Sequence, residues 1–189
     1  MRQRKFMTRQ EIDALLQATK QGRYAERDYC LLLMGFLHGF RVSELSKLTI
    51  QDIDLVQNIV FVKRLKGGFS TLQPLQSSEI QAIHNWLIKR VQWATEDTPW
   101  LFLSQKKQAI SRVQIFRLIK KYSKAAGLTI KAHPHMLRHA CGYALADLGR
   151  DTRLIQDYLG HRNITHTVIY TASNQKRFRC IWHQNNAAA

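Results

Sequence analysis

Apolar residues recur along this chain at two different spacings, and the change from one to the other divides it. Ile12, Leu15 and Leu16 fall on one face of a helix. Thr8, followed three residues later by Glu11, predicts a capping box at its start, with Met7 and Ile12 spaced for a hydrophobic staple. A second helix, predicted over 24–38, is apolar around most of its circumference and belongs at the centre of the molecule. Gly39 ends it, and Ser43 is the expected N-cap of a short helix carrying Glu44, Leu45 and Leu48. Between Thr49 and Leu75 the pattern becomes β-rich. Three antiparallel strands are predicted at 52–55, 58–65 and 69–75, the last two joined by a tight Gly67-Gly68 turn. Helical spacing then returns over 77–91 and 111–126. Pro134 sits in the first turn of a helix ending at Gly149, and Asp151 caps one that stops at Gly160. Asn163 or Thr165 opens a last short helix through Tyr170.

The class expected is α+β, mainly α, with one small three-stranded antiparallel sheet. No internal repeat or low-complexity linker divides the chain. Residues 1–173 are expected to form one domain and 174–189 a tail. The apolar members of that tail, Phe178, Ile181 and Trp182, need a surface to dock on, their own or a neighbour's.

Charge narrows the function. Lys and Arg number 29 against 13 acidic residues, a formal net charge of +16, with a pI near 10.2. A protein this basic usually has a polyanionic partner, and DNA or RNA fits better than a membrane surface. The longest apolar run, Cys30 to Leu37, falls well short of the roughly 20 residues that span a bilayer. The basic start is not followed by a signal-peptide core, so the cytoplasm is the expected compartment. Cys30, Cys141 and Cys180 lie far apart with no CxxC spacing, against a disulfide framework and against zinc. The eight His have no carboxylate cluster beside them to hold a divalent ion near phosphate, so no metal or other cofactor is expected.

Several polar residues could carry chemistry. His135 and Arg138, three apart at a helix start, share a face where backbone N–H groups favour an anion. Arg there offers a planar fork of donors to a phosphate. His161 follows a helix-ending Gly160, and Tyr170 follows two β-branched residues, where packing is the ordinary role for a tyrosine. As a nucleophile Tyr170 would need a base and nearby cations, its phenol being unreactive at neutral pH. Arg41 either reaches the same pocket or pairs with Glu44. Lys66 sits by the Gly-Gly turn, where it is either solvated or able to meet a DNA groove.

Their order changes the picture. Arg41 within Gly39-Phe40-Arg41-Val42-Ser43-Glu44-Leu45, then Lys66 on a hairpin, then His135-x-x-Arg138, then Leu159-Gly160-His161, then Tyr170, resembles the tyrosine recombinase/phage integrase family from about Thr8 to Tyr170. More narrowly, His38-Gly39-Phe40-Arg41, Arg64-Leu65-Lys66, Phe69-Ser70-Thr71, 133–139 and 154–164 look like the fimbrial phase-variation recombinases of enterobacteria. The resemblance implies that fold. It also implies roles: Arg41, Arg138 and His161 on the scissile phosphate, and Lys66 protonating the departing 5′-oxygen, with Lys63, further from the turn, as its rival. His135 would help remove the proton of Tyr170, Tyr170 would hold DNA as a 3′-phosphotyrosine, and Glu44 would orient a catalytic side chain. It further implies double-stranded DNA with inverted-repeat sites as partner, four subunits on two sites, and inversion of a promoter segment on the nucleoid. Catalytic-type sequence begins almost at once, so a separate N-terminal DNA-clamping domain is not expected. Site recognition then rests on this domain, its neighbours or accessory DNA-bending proteins. A non-catalytic DNA-binding regulator on this fold and a type IB topoisomerase-like enzyme are the alternatives.

Overall fold

The structure is a computed structural model that describes residues 4–65, 67–95, 97–172 and 174–178. Capping chemistry sets its first boundary. Helix α1 (Arg9–Thr19) begins where the Thr8 hydroxyl accepts the Glu11 N–H at 3.2 Å and the Glu11 carboxylate accepts the Thr8 N–H at 2.7 Å. Met7 and Ile12 are both buried beside it. Helix α2 (Ala25–Leu37) is the central one. It packs against α1, α4 (Ser77–Arg90) and α6 (Pro134–Asp147), with Cys30, Leu31, Leu32 and Met34 sealed from solvent. Around them lie α3 (Val42–Ser46), α5 (Arg112–Ala125), α7 (Thr152–Leu159) and α8 (Thr165–Ala172). Asp151 caps α7 through the Arg153 and Leu154 N–H groups, and Gly160, at φ +66°, ends it in the left-handed turn.

Three strands, β1 (Ile53–Asp54), β2 (Ile59–Val62) and β3 (Thr71–Pro74), form an antiparallel sheet in that order. Val62 faces Thr71 at the open end of the last pair. Among the described residues, pairing therefore stops at Val62 and Thr71 and does not continue to the expected tight Gly67-Gly68 turn, although Gly67 does take the positive φ, +70°. Arg64 is the physical cause. Its guanidinium turns inward to the carbonyls of His38 and Tyr158, and its N–H donates to the Ser70 hydroxyl instead of to a strand partner. The N-cap of α3 also differs from expectation. It is Arg41 rather than Ser43, because Glu44 reaches back one turn to accept the Arg41 N–H at 2.8 Å.

Behind the sheet, buried His38 bridges Gln73 and Glu79 at 2.7 Å each, pinning the end of α2 to β3 and α4. Past α8, the Asn174 amide donates to Asp147 on α6 at 2.9 Å. Cys180, Ile181 and Trp182 lie outside the described residues.

Candidate active site

The central helix has to stop where the site begins. Gly39 has φ +55°, and a Cβ there would come 2.5 Å from Leu159, so only glycine lets α2 end against α7. Its carbonyl is left facing inward and accepts two guanidinium groups: Arg138 Nη1 at 2.5 Å and Arg64 Nη1 at 3.3 Å. Arg138 donates its other nitrogen, Nη2, to the Leu159 carbonyl at 2.7 Å. Two residues beyond Gly39, Arg41 is held by Glu44 Oε1 at 2.6 Å and is 23% exposed, the outermost of the three guanidinium groups.

Glu44 is the counter-charge shared by two of the three. It accepts from the Arg41 N–H, from Arg41 Nη1, from Arg64 Nη1 and from the Leu65 N–H. Burial alone would raise its pKa. The Arg41 N–H and the Arg64 charge outweigh that and hold the carboxyl below the usual range. Among the described residues, Arg138 has no carboxylate within ion-pair distance. Burial, then the charges of Arg64 and Arg41, push its pKa down, yet a guanidinium remains charged at neutral pH. It is a buried cation whose described acceptors are two backbone carbonyls.

His161 leaves the end of α7 with its Nδ1 2.9 Å from the Thr167 hydroxyl. Burial and then Arg138 and Arg41 push its pKa down to about 3, so the imidazole is neutral at physiological pH. If the Thr167 hydroxyl donates to Nδ1, the proton sits on Nε2, where it can be offered to a phosphate oxygen.

Tyr170 lies on α8 and is 1% exposed. Its ring stacks on that of His161 at 6.4 Å and meets Tyr143 edge-on at 5.1 Å. Its hydroxyl bonds to His139 Nδ1 at 3.0 Å. Burial pushes the phenol up to about 12, against the pull of Arg138. Gly142 makes the seat: a Cβ there would come 2.5 Å from the ring. Gly142→Ala is therefore expected to dislodge Tyr170, at a cost of about 1–3 kcal/mol. Nitration of DNA-free protein, followed by peptide mapping, should show Tyr170 modified several-fold faster in the variant. Equal protection would mean that the ring does not rest on Gly142.

The structure thus gathers Arg41, Arg138, His161 and Tyr170, with Glu44 behind them. His135 is exposed in the first turn of α6, its ring 6.5 Å from that of His133. His139, one turn further along, is the histidine at the Tyr170 hydroxyl. Sequence reasoning passed over it, since spacing along α6 cannot say which face α8 will cover. Lys66 lies outside the described residues. Of its described neighbours in sequence, the Leu65 carbonyl is 3.4 Å from Arg41 Nη1. A Cβ on Gly68 would lie 2.7 Å from the Gly160 carbonyl, so these neighbours border the cluster. Arg64 is a second residue whose part was not foreseen.

Comparisons with known proteins agree with this arrangement. The model of the phage integrase family matches residues 5–177. Type 1 fimbriae regulatory protein FimB of Escherichia coli (strain K12) is 52% identical over 181 residues, covering 96% of this chain and 90% of its own. FimE of the same strain is 49% identical over 187 residues, covering 98% and 94%. The crystal structure of XerA recombinase superposes with a TM-score of 0.83 at 28% identity, covering 100% of this chain and 68% of that one. By family model, relatives and fold together, the chain belongs to the phage integrase family and is a tyrosine site-specific recombinase.

Proposed function

We propose that this recombinase cuts and rejoins double-stranded DNA through a 3′-phosphotyrosine at Tyr170, at inverted-repeat sites flanking a promoter whose inversion controls fimbrial expression. The observation that carries the chemical part is a buried cationic niche. Arg138 and neutral His161 line it, Arg41 stands at its edge, and the Tyr170 ring stacks on His161. Such a niche suits a phosphate diester passing through a transition state with added charge on its non-bridging oxygens. The relatives FimB and FimE, fimbrial regulators by name, support the choice of target.

In this reading Arg41 and Arg138 offer their forks to the two non-bridging oxygens and His161 adds one N–H. The Tyr170 oxygen attacks phosphorus while its proton passes to a histidine. His139 already holds that hydroxyl, and His135 is the candidate by motif. The bond to the 5′-oxygen breaks in line, and Lys66 supplies the proton the leaving oxygen takes. The ester energy stays in the phosphotyrosine, so a 5′-hydroxyl from the other site can reverse the step without ATP. Tyr170 is 1% exposed, so its oxygen meets a phosphate only where DNA enters the niche or α8 shifts to present it. Exchange between two sites takes four subunits, with accessory bending proteins bringing the sites together in the cytoplasm. The net charge of +16 makes binding fall steeply with salt as counterions are released.

The test is a nicked suicide substrate carrying the site. Wild-type protein should give an SDS-resistant adduct, and after trypsin the nucleotide remnant should ride on peptide 163–176. A remnant on any other peptide would remove Tyr170 from the reading. Salt-sensitive binding with no adduct on any site would favour a non-catalytic regulator. Adduct without inversion of a plasmid-borne segment would favour a topoisomerase-like activity.

A further inference from the structure

Arg64 has no part in the chemistry above, yet it occupies the centre of the site. Its side chain is 0% exposed. The guanidinium donates to the carbonyls of His38 (2.9 Å), Tyr158 (2.9 Å) and Gly39 (3.3 Å), and to Glu44 Oε2 at 3.0 Å. Two of these acceptors are shared. The Gly39 carbonyl also takes Arg138, and the Glu44 carboxylate also takes Arg41. One rigid, planar group therefore touches what aims each of the two arginines assigned to the phosphate.

The stem of Arg64 is fitted with equal care. A Cβ on Gly68 would lie 3.0 Å from its Cβ, and one on Gly160 would lie 2.7 Å from its Cγ. Gly68 and Gly160 thus close on this one side chain from two segments of the chain.

Fold stability alone does not call for an arginine here. Among the described residues its buried Nε meets no hydrogen-bond partner, and such an orphan donor costs about 1–3 kcal/mol. Replacing a buried ion pair with apolar residues of similar volume is often neutral or stabilising. An apolar side chain, however, could not fix the Gly39 carbonyl or the Glu44 carboxylate. Lysine could not either, because a single ammonium cannot span acceptors spread around a guanidinium plane. Arg64 also adds positive potential behind the niche, being among the charges that depress Arg138 and His161.

We propose that Arg64 is a positioning residue for phosphoryl transfer, holding the Gly39 carbonyl and the Glu44 carboxylate where they aim Arg138 and Arg41 at the scissile phosphate. The proposal rests on the assignment of those two arginines to that phosphate. Misplacing a clamp by about 1 Å can slow a reaction about 100-fold without weakening binding.

The experiment is a double-mutant cycle on adduct formation with saturating suicide substrate, using Arg64→Lys and Arg64→Met alone and each combined with Arg41→Lys. Site affinity and Tm are followed in parallel. Arg64→Lys should slow cleavage about 10- to 100-fold, with site affinity within about threefold of wild type. In the Arg41→Lys background the further loss should shrink to a few-fold, because groups acting as a unit are not additive. Full additivity, or wild-type cleavage by both Arg64 variants, would overturn the proposal. Loss of binding and of the folding transition in both variants would overturn it too, making Arg64 a residue of the fold alone. Undiminished cleavage by Arg41→Lys would instead sink the assignment of the clamp, an outcome separate from the fate of Arg64.

Discussion

Tyr170→Phe is expected to abolish the covalent protein–DNA adduct while leaving the fold and the affinity for DNA close to wild type. The substitution removes one oxygen and keeps the ring. The seat over Gly142, the stack on His161 and the edge contact with Tyr143 all survive. What is lost is the bond to His139, 3.0 Å long in the wild type and worth about 1 kcal/mol. Chemistry is affected on another scale. Phenylalanine has no nucleophilic atom, so no ester to phosphorus can form, and only water could attack in its place. On denaturing gels the shifted band should vanish, whereas native gel shifts should persist with their salt dependence. Tm should move by no more than a few degrees. The contrast is what carries meaning: a surviving adduct would point to another nucleophile, and lost binding would point to a collapsed site.

How much of this was legible in the sequence depends on how far each interaction reaches. Caps are local, so Thr8 with Glu11, Asp151, Ser111 and Gly160 announce their helix ends, and the unbroken apolar run of α2 announces the centre. The end of β2 is not legible locally because its cause is remote. Gly67 does supply the positive φ, but Arg64 leaves the ladder to reach Tyr158, 94 residues away. The start of α3 was misplaced because capping rules look for a hydroxyl. Here the Glu44 carboxylate satisfies the Arg41 N–H regardless of what Ser43 offers. The site divides in the same way. Arg41, Arg138, His161 and Tyr170 each sit in a short motif, and the order of those motifs suggests that they belong together. Nothing local says that His139 will face Tyr170, since that follows from α8 lying across α6. Nor does it say that Arg64 will join two arginines. Both are consequences of packing between segments distant in sequence.

Glu44→Ala is the substitution expected to cost the most stability, about 3–5 kcal/mol. The carboxylate is wholly enclosed and takes four donors, and the two charges it answers have unequal escape routes. Arg41, 23% exposed, can swing into water when its partner is gone. Arg64 cannot. It would remain buried with carbonyl oxygens as its only acceptors, a cation without a counter-charge. Glu44→Gln should cost less, because it keeps the shape and one accepting oxygen, but its NH2 must face an N–H donor in either orientation. The pH dependence supplies a check specific to the charge. The folded-state pKa of Glu44 lies below its ordinary value of 4.5. Its ionised form therefore contributes stability that is complete above pH 4.5 and is lost as pH falls through the folded value. Urea unfolding of wild type and Glu44→Ala should differ fully at pH 7, and the gap should narrow steadily below pH 4.5. A gap under about 1 kcal/mol at pH 7, or one indifferent to acid, would mean that the carboxylate does not hold the arginines together. Cleavage by Glu44→Gln should then match wild type. If the gap behaves as expected, the same carboxylate that neutralises the buried Arg64 also keeps Arg41 turned toward the phosphate. Glu44→Gln should then be folded, bind DNA, and cut slowly.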